Sequence, residues 1–217
     1  MRNKKIVIID YQLGNLYSVK NALLSLGWNP IISSDKDQIR NAEALILPGV
    51  GAFGNAMANL SKMDLINPIL DHIQSGKPFM GICLGMQLLF TESSEFGNHK
   101  GLGIIEGSVA KLFNPSREIT IPQIGWNQIK KPNNVDWNNS PLKNISDNSF
   151  MYFVHSYYAI PSNINQILTL TNYEEIEYCS AVNFKNIFAT QFHPEKSGAL
   201  GVSIYFEFLK PLNLRYD

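Results

Sequence analysis

The chain has few cysteines, no excess of charge of one sign and no long apolar run. Its 217 residues include only Cys83 and Cys179, too few for a disulfide framework or a metal cluster, and this suits a reducing compartment. The 18 basic and 18 acidic side chains cancel, so no overall positive field would attract a nucleic acid. The early apolar run Ile6–Ile9 is far shorter than the roughly 20 residues of a membrane span. We therefore expect a cytoplasmic protein that binds neither nucleic acid nor membranes and holds no metal.

The apolar content, 45%, is enough for one large core, and its pattern changes along the chain. In the first half, short continuous apolar runs alternate with stretches of helical spacing, which is typical of a parallel sheet buried on both faces. The predicted strands there are residues 5–9, 30–32, 44–47 and 78–82, and the predicted helices include residues 15–26 and one that opens after Cys83.

The second half is richer in turn residues. Apolar segments at 150–154, 167–171 and 187–192 are separated by Asn, Pro and Ser, which indicates an antiparallel extension. A polar surface loop is predicted at 130–148 and a closing helix at 202–209. Because no repeat or linker interrupts the pattern, we predict a single α/β domain over residues 1–217: an open, mostly parallel sheet flanked by helices, with an antiparallel extension.

A candidate nucleophile lies where the fourth predicted strand meets a helix, in Gly81-Ile82-Cys83-Leu84-Gly85. In this setting a thiol is held on a tight turn, and the helix that follows directs N–H groups at the sulfur. We interpret the two glycines as permitting the strained backbone of such a turn. A structural cysteine packed between glycines would leave the same pattern.

The partner base for that thiol is His193, in Phe192-His193-Pro194-Glu195. In an extended chain His193 and Glu195 project to one side, so the carboxylate could orient the imidazole while the imidazole serves Cys83. An ordinary strand exit punctuated by proline is the alternative.

A glycine-rich segment at 47–54 follows the third predicted strand. At the carboxyl edge of a parallel sheet its amides would face the cysteine, and together with the Leu84 amide they could form an oxyanion hole. A simple turn is the alternative. A phosphate loop is excluded because the Gly-Lys-Ser/Thr ending is missing.

Together these motifs resemble the class I, triad-type glutamine amidotransferases, and most of all the glutaminase subunits of imidazole glycerol phosphate synthases. The matching stretches span nearly the whole chain: residues 9–11 with 14–16, 47–54, 78–90, 125–127, 152–157 and 190–198. The resemblance implies a flavodoxin-like class I fold and assigns Cys83 as nucleophile, His193 as general base and acid, and Glu195 as the residue that orients it.

The resemblance also implies residues outside the triad. The family's oxyanion loop falls on Gly49, Val50 and Gly51. Substrate-binding positions fall on Gln87, His155, Ser156 and Tyr157, and partner-interface positions on Asn15, Trp126 and Lys196. Two residues depart from the family pattern: Gln12 replaces a glycine, and Gln123 replaces a histidine before Gly-Trp-Asn. Both lie in segments that the family uses near its partner.

The implied reaction is hydrolysis of glutamine to glutamate and ammonia, without cofactor or metal. Ammonia released into water would be protonated, so it has to pass directly to a synthase subunit. The resemblance implies a heterodimer in which this partner is a (βα)₈-barrel cyclase. The cyclase uses the ammonia to make imidazole glycerol phosphate and aminoimidazole carboxamide ribonucleotide in histidine biosynthesis.

Other functions stay open at this point. A paralogous glutaminase subunit could supply ammonia to a surface-polysaccharide sugar amidotransferase. The stretch 94–103 and Gln123 are the features that keep this alternative open. A vitamin B6-type glutaminase is disfavoured because its loop has Gly-Gly-x-x-x-Glu. A catalytically inactive binding subunit is disfavoured by the intact triad, and a stand-alone cysteine hydrolase would need neither Lys196 nor the Gly-Trp-Asn segment.

Overall fold

The computed structural model describes residues 5–213. Residues 1–4 and 214–217 of the predicted domain lie outside the described residues.

A parallel sheet of five strands forms the centre of the described chain, in the order β2-β1-β3-β4-β13. The strands are β1 (Ile6–Ile9), β2 (Ile31–Ser33), β3 (Ala44–Gly49), β4 (Phe79–Cys83) and β13 (Ile187–Thr190). Successive side chains of a buried strand point to opposite faces, so Ile6 and Ile8 enter one core while Val7 and Ile9 enter the other. This confirms the predicted parallel α/β architecture.

Helices cover both faces of this sheet. They are α1 (Leu16–Ser25), α2 (Lys36–Arg40), α3 (Phe53–Lys62), α4 (Ile66–Gln74), α5 (Leu84–Gln87) and α6 (Gly198–Asn213). Buried residues of α1 and α6 share a core on one side of the sheet, whereas those of α2, α3 and α4 share the core on the other. The helix predicted after Cys83 is present but is only four residues long.

The extension continues the same sheet beyond β13 through β12, β10, β7, β5 and β6, with β11 paired to β12. Its strands are β5 (Phe90–Ser93), β6 (His99–Lys100), β7 (Ile105–Lys111), β10 (Tyr157–Pro161), β11 (Ile167–Tyr173) and β12 (Ile176–Phe184). A separate hairpin pairs β8 (Gln123–Ile129) with β9 (Ser149–His155). The extension is mainly antiparallel, as predicted, although β5 and β7 run parallel.

β13, another strand of the second half, belongs to the parallel part of the sheet and not to the antiparallel extension. The segment 187–192 was predicted within it, but β13 lies parallel to β4, with Thr190 opposite Ile82. β13 is buried at all four positions, which is the pattern of a parallel strand, but the turn-rich segments around it favoured the antiparallel interpretation. This pairing brings the end of β13 to the end of β4.

The polar loop between β8 and β9 packs on the domain through three apolar side chains. Trp137, Leu142 and Ile145 are buried, and the Trp137 indole donates to the Leu168 carbonyl at 2.8 Å. The loop is therefore anchored to the core, although its polar composition predicted only a surface segment.

Within the described residues, no helix combines the length and the apolar character needed to cross a bilayer. Over the same residues, no group of three or more His, Cys, Asp or Glu side chains is arranged to hold a metal ion.

Candidate active site

Cys83 occupies a strained turn at the end of β4. Its φ of 55° and ψ of −111° are unusual for a residue with a side chain, and strain of this kind is found where a side chain is held in a functional position. The residue is 6% exposed. The predicted tight turn between strand and helix is confirmed.

The flanking glycines were predicted to permit the strained backbone of the turn, but the structure gives them another role. Neither Gly81 nor Gly85 has a positive φ; the cysteine itself carries the strain. A Cβ on Gly85 would collide with the Leu47 carbonyl oxygen of β3, and one on Gly81 would lie 2.7 Å from the Gly85 oxygen. The glycines are therefore needed for close packing of α5 against the sheet.

His193 and Glu195 form a buried pair beyond the end of β13. The His193 Nδ1 lies 2.8 Å from the Glu195 Oε1, and the two side chains are 2% and 1% exposed. The extended geometry predicted for the pair is wrong, because Pro194–Lys196 is a turn of 3₁₀ helix. The contact still forms, since the His193 N–H donates to the Tyr152 carbonyl at 2.9 Å and so holds the start of the turn.

The carboxylate determines which imidazole nitrogen remains for chemistry. A carboxylate accepts hydrogen bonds, so Nδ1 carries the proton that binds Glu195. Nε2 is buried and makes no hydrogen bond of ordinary geometry within the described residues. Burial lowers the pKa of His193, but the Cys83 sulfur and the Glu195 carboxylate outweigh it and raise the pKa to about 10. The ring is therefore poised to take and hold a proton beside Cys83.

This pKa predicts how stability depends on pH. The folded-state pKa of His193, about 10, lies above the ordinary value of 6.5, so the extra stability is fully present below pH 6.5 and is lost as pH rises towards 10. Urea unfolding at several pH values should show a steeper loss of unfolding free energy over that range in the wild type than in His193→Gln. Parallel curves for the two proteins would contradict the assigned ion pairing.

A cavity of about 260 Å³ opens beside Cys83. Its lining combines the end of β4, the glycine-rich segment, α5 and the β9–β10 connection: Val50, Gly51, Cys83, Leu84, Gln87, Glu95, Pro122, Val154, His155, Ser156 and Tyr157. The structure thus brings together at one cavity most of the residues predicted for the oxyanion hole and for substrate. Gly49 is the exception, because β3 runs two residues further than predicted and Gly49 pairs with Cys83 inside the sheet.

His155 lines the cavity, but both of its ring nitrogens are bound within the protein. Nδ1 donates to the Tyr157 carbonyl at 2.9 Å, and Nε2 lies 3.1 Å from the Tyr178 hydroxyl. Burial lowers the pKa of His155 to about 4, despite the opposing hydrogen bond to Tyr157. The ring is therefore neutral near pH 7 and stabilises the wall of the cavity.

Glu95 is a cavity residue that the sequence motifs did not identify. It is 9% exposed, and its Oε2 accepts a 2.6 Å hydrogen bond from the Phe53 N–H at the start of α3. No spacing in the sequence links this residue to Cys83, because the β5–β6 hairpin folds it back to the cavity. It places an acidic side chain in the cavity that Cys83 also lines.

Two of the three predicted interface residues meet on the β8–β9 hairpin. Trp126 is 55% exposed and packs edge-on to Tyr152, with ring centroids 6.1 Å apart, and the Lys196 Nζ lies 5.6 Å from the same Tyr152 ring. Asn15 occupies the N-cap position of α1 without a side-chain capping hydrogen bond, and it is half-buried.

The two departures from the family pattern have different surroundings. Gln12 is exposed and has a φ of 70°, a conformation in which glycine is normally favoured. Gln123 is only 2% exposed and lies 2.9 Å from the Tyr178 hydroxyl. Its side chain therefore belongs to the interior behind His155 and does not reach a partner surface.

Comparison with known proteins agrees with this geometry. The family model for glutamine amidotransferase class-I matches residues 7–212. The imidazole glycerol phosphate synthase subunit HisH of Cyanophora paradoxa is 46% identical, over 95% of this chain and 94% of that protein. The subunit of the same name from Aquifex aeolicus is 44% identical, over 94% and 95%. A crystal structure of a glutamine amidotransferase superposes with a TM-score of 0.71 at 16% identity, covering 96% of this chain and 99% of that one, which shows a common fold.

Proposed function

The chain belongs to the glutamine amidotransferase class-I family, and we propose that it is the glutaminase subunit of an imidazole glycerol phosphate synthase, acting in histidine biosynthesis. The observation that carries the proposal is the strained Cys83 at the edge of a cavity, together with the buried His193–Glu195 pair. High identity to the named synthase subunits over nearly their whole length supports the choice of pathway.

The first chemical step is acylation of the enzyme. His193 takes the proton of the Cys83 thiol, and the sulfur attacks the side-chain amide carbon of glutamine to form a tetrahedral intermediate. Glu195 holds the imidazole in orientation and stabilises its protonated form. His193 then gives the proton to the departing ammonia, which leaves a γ-glutamyl thioester on Cys83.

The second step regenerates the enzyme. Water, activated by the now neutral His193, attacks the thioester, and glutamate leaves as the Cys83 sulfur is released. In both steps the negative charge on the carbonyl oxygen needs hydrogen-bond donors, and we assign this role to backbone N–H groups of Val50, Gly51 and Leu84, which border the cavity beside Cys83.

The cavity chemistry also supports an amino acid as substrate. Glu95 supplies a carboxylate that complements an α-ammonium group, and the Gln87 oxygen supplies a further acceptor. Ser156 and Tyr157 border the same cavity and complete the proposed binding residues.

The ammonia has to reach a synthase before water protonates it, so we propose a heterodimer with a (βα)₈-barrel cyclase and passage of ammonia between the subunits. An exposed apolar face of the β8–β9 hairpin supports docking of the cyclase at this hairpin. Ile124, Trp126 and Phe150 lie on the same face and are 64%, 55% and 54% exposed. Lys196 lies at the same place, over Tyr152.

Coupling to the partner provides the test of this function. The isolated chain should release glutamate slowly, and adding the cognate cyclase with its ribonucleotide acceptor should raise kcat by orders of magnitude. The reason is that the flexible glycine-flanked peptide at Val50 can point its N–H group towards the oxyanion or away from it, and the partner can favour the first state. Gly51 has a φ of 96°, a conformation favourable to such a peptide. Glutamate release is measured for the chain alone, the complex, and the complex with acceptor.

Val50→Pro is the informative variant for coupling. It removes the Val50 N–H, and the preceding Gly49 is already extended in β3, as a residue before proline prefers. Stimulation should be lost while the two chains still co-elute. Equal rates in all three wild-type samples would instead indicate a stand-alone hydrolase.

A further inference from the structure

A buried glutamine that no motif singled out lies against the candidate nucleophile. Gln191 is 0% exposed and stands two residues before His193, immediately after β13. Its Nε2 lies 3.6 Å from the Cys83 Sγ, within hydrogen-bonding distance for sulfur. The nucleophile thus has a second polar neighbour besides the imidazole.

The neighbouring hydrogen bonds determine which end of this amide faces the sulfur. The Gln87 Nε2 lies 2.8 Å from the Tyr157 carbonyl oxygen and 2.9 Å from the Gln191 Oε1. A backbone carbonyl only accepts hydrogen bonds, so the Gln87 atom at this position must be its amide nitrogen. That nitrogen has a second N–H, which needs an acceptor, so the Gln191 atom facing it must be oxygen. The nitrogen of Gln191 is therefore the end that points to Cys83.

The two protonation states of Cys83 place different demands on its surroundings. The Cys83 Sγ also lies 3.8 Å from the Val154 carbonyl, which can accept from the neutral thiol. Once the proton moves to His193, that carbonyl no longer helps, and a thiolate needs donors. The protonated His193 is one such donor, and the Gln191 amide, whose nitrogen lies 3.6 Å from the sulfur, is a second one.

We propose that Gln191 is a further catalytic residue, whose amide N–H stabilises the Cys83 thiolate, and that Gln87 is a positioning residue that holds the Gln191 amide in the donating orientation. The inference rests on the proposed function, because it takes Cys83 as the nucleophile. It gives the attacking Cys83 sulfur a hydrogen-bond donor that is separate from the backbone N–H groups assigned to the carbonyl oxygen of the substrate. It also gives Gln87 a role at the sulfur besides its place in the substrate cavity.

Alkylation of the thiol tests this proposal without glutamine or partner. The full chain is treated with iodoacetamide over a pH series, and the rate of modification at Cys83 is followed by peptide mass spectrometry. Gln191→Met keeps a similar volume but removes the donor, so the Cys83 rate should fall at least about tenfold at pH 7, because a hydrogen bond to a charged group is lost. The difference between the two rates should shrink as the pH of the series rises. Gln87→Met should give a smaller decrease in the same direction.

A matched control separates donor loss from damage to the core. Gln166 is another buried glutamine, 9% exposed, in the 3₁₀ turn Ile164–Gln166, so Gln166→Met should leave the alkylation of Cys83 at the wild-type rate. Loosened packing in Gln191→Met would expose the sulfur and speed its alkylation, which is the opposite of the expected change.

The outcomes also separate this inference from the proposed function. An unchanged or faster rate in Gln191→Met would overturn the role of Gln191, even if Cys83→Ala abolishes glutamine hydrolysis. Should Gln191→Met fail to fold, Gln87→Met decides, and an unchanged rate in that variant overturns the proposal. Retained glutaminase activity in Cys83→Ala would instead remove the nucleophile on which both proposals depend.

Discussion

Replacing Cys83 by alanine should abolish glutamine hydrolysis, with kcat reduced by at least about 10⁴-fold, because no other group can form the acyl intermediate. The fold should persist, since the change removes a single sulfur atom and alanine can occupy the same backbone turn. Glutamate release is measured in the complex with the cyclase, alongside thermal unfolding and co-elution of the two chains.

Cys179→Ala is the matched control for that variant. Cys179 lies in β12, its thiol donates to the Ala181 carbonyl at 3.4 Å, and burial raises its pKa, so it is held as an unreactive thiol. Its replacement should leave kcat near the wild-type value. Substantial activity in Cys83→Ala, or its loss in Cys179→Ala, would contradict the assignment of the nucleophile.

His193→Ala should be nearly as damaging as loss of the cysteine, because the imidazole takes part in both acylation and hydrolysis of the thioester. Single-turnover measurements with glutamine should show that the thioester neither forms nor breaks down at a useful rate. A variant that retains fast acylation would show that another group removes the thiol proton.

Glu195→Gln should retain more activity than His193→Ala, roughly 10- to 100-fold more, because the orienting member of a triad contributes less than the base. The substitution removes a charge that raises the pKa of His193, so the pKa of the imidazole should fall towards its ordinary value. The activity and its pH profile are compared with the wild type. An unchanged kcat would make this carboxylate structural.

Much of the fold follows from local pattern. Continuous apolar runs predict β1, β3 and β4 nearly to their ends, because strands buried on both faces need apolar side chains at every position. The turn at Cys83 was also predictable, since a buried strand meets a helical stretch at this residue. The role of the glycines was not, because their closest contacts come from β3, far away in sequence.

Other features of the site depend on contacts that no local pattern contains. Glu95 reaches the cavity because the β5–β6 hairpin folds back onto the domain, and the short polar sequence around it has no helical or strand periodicity. The Gln191 amide acquires its orientation from the Tyr157 carbonyl through Gln87, so its chemical role exists only once three distant segments have met.

The sequence by itself predicted the class of chemistry from a thiol where a strand meets a helix, a histidine with a carboxylate two residues on, and a glycine-rich segment, all within one predicted α/β domain. The tertiary structure decided which of these meet, through the parallel pairing of β13 with β4 that sets Thr190 opposite Ile82. It also decided that the histidine and carboxylate meet across a 3₁₀ turn, and that the His155 ring serves the cavity wall. The physical reason is that composition and periodicity record which side chains are buried, whereas hydrogen bonds and strand pairing between distant segments decide what each buried group faces.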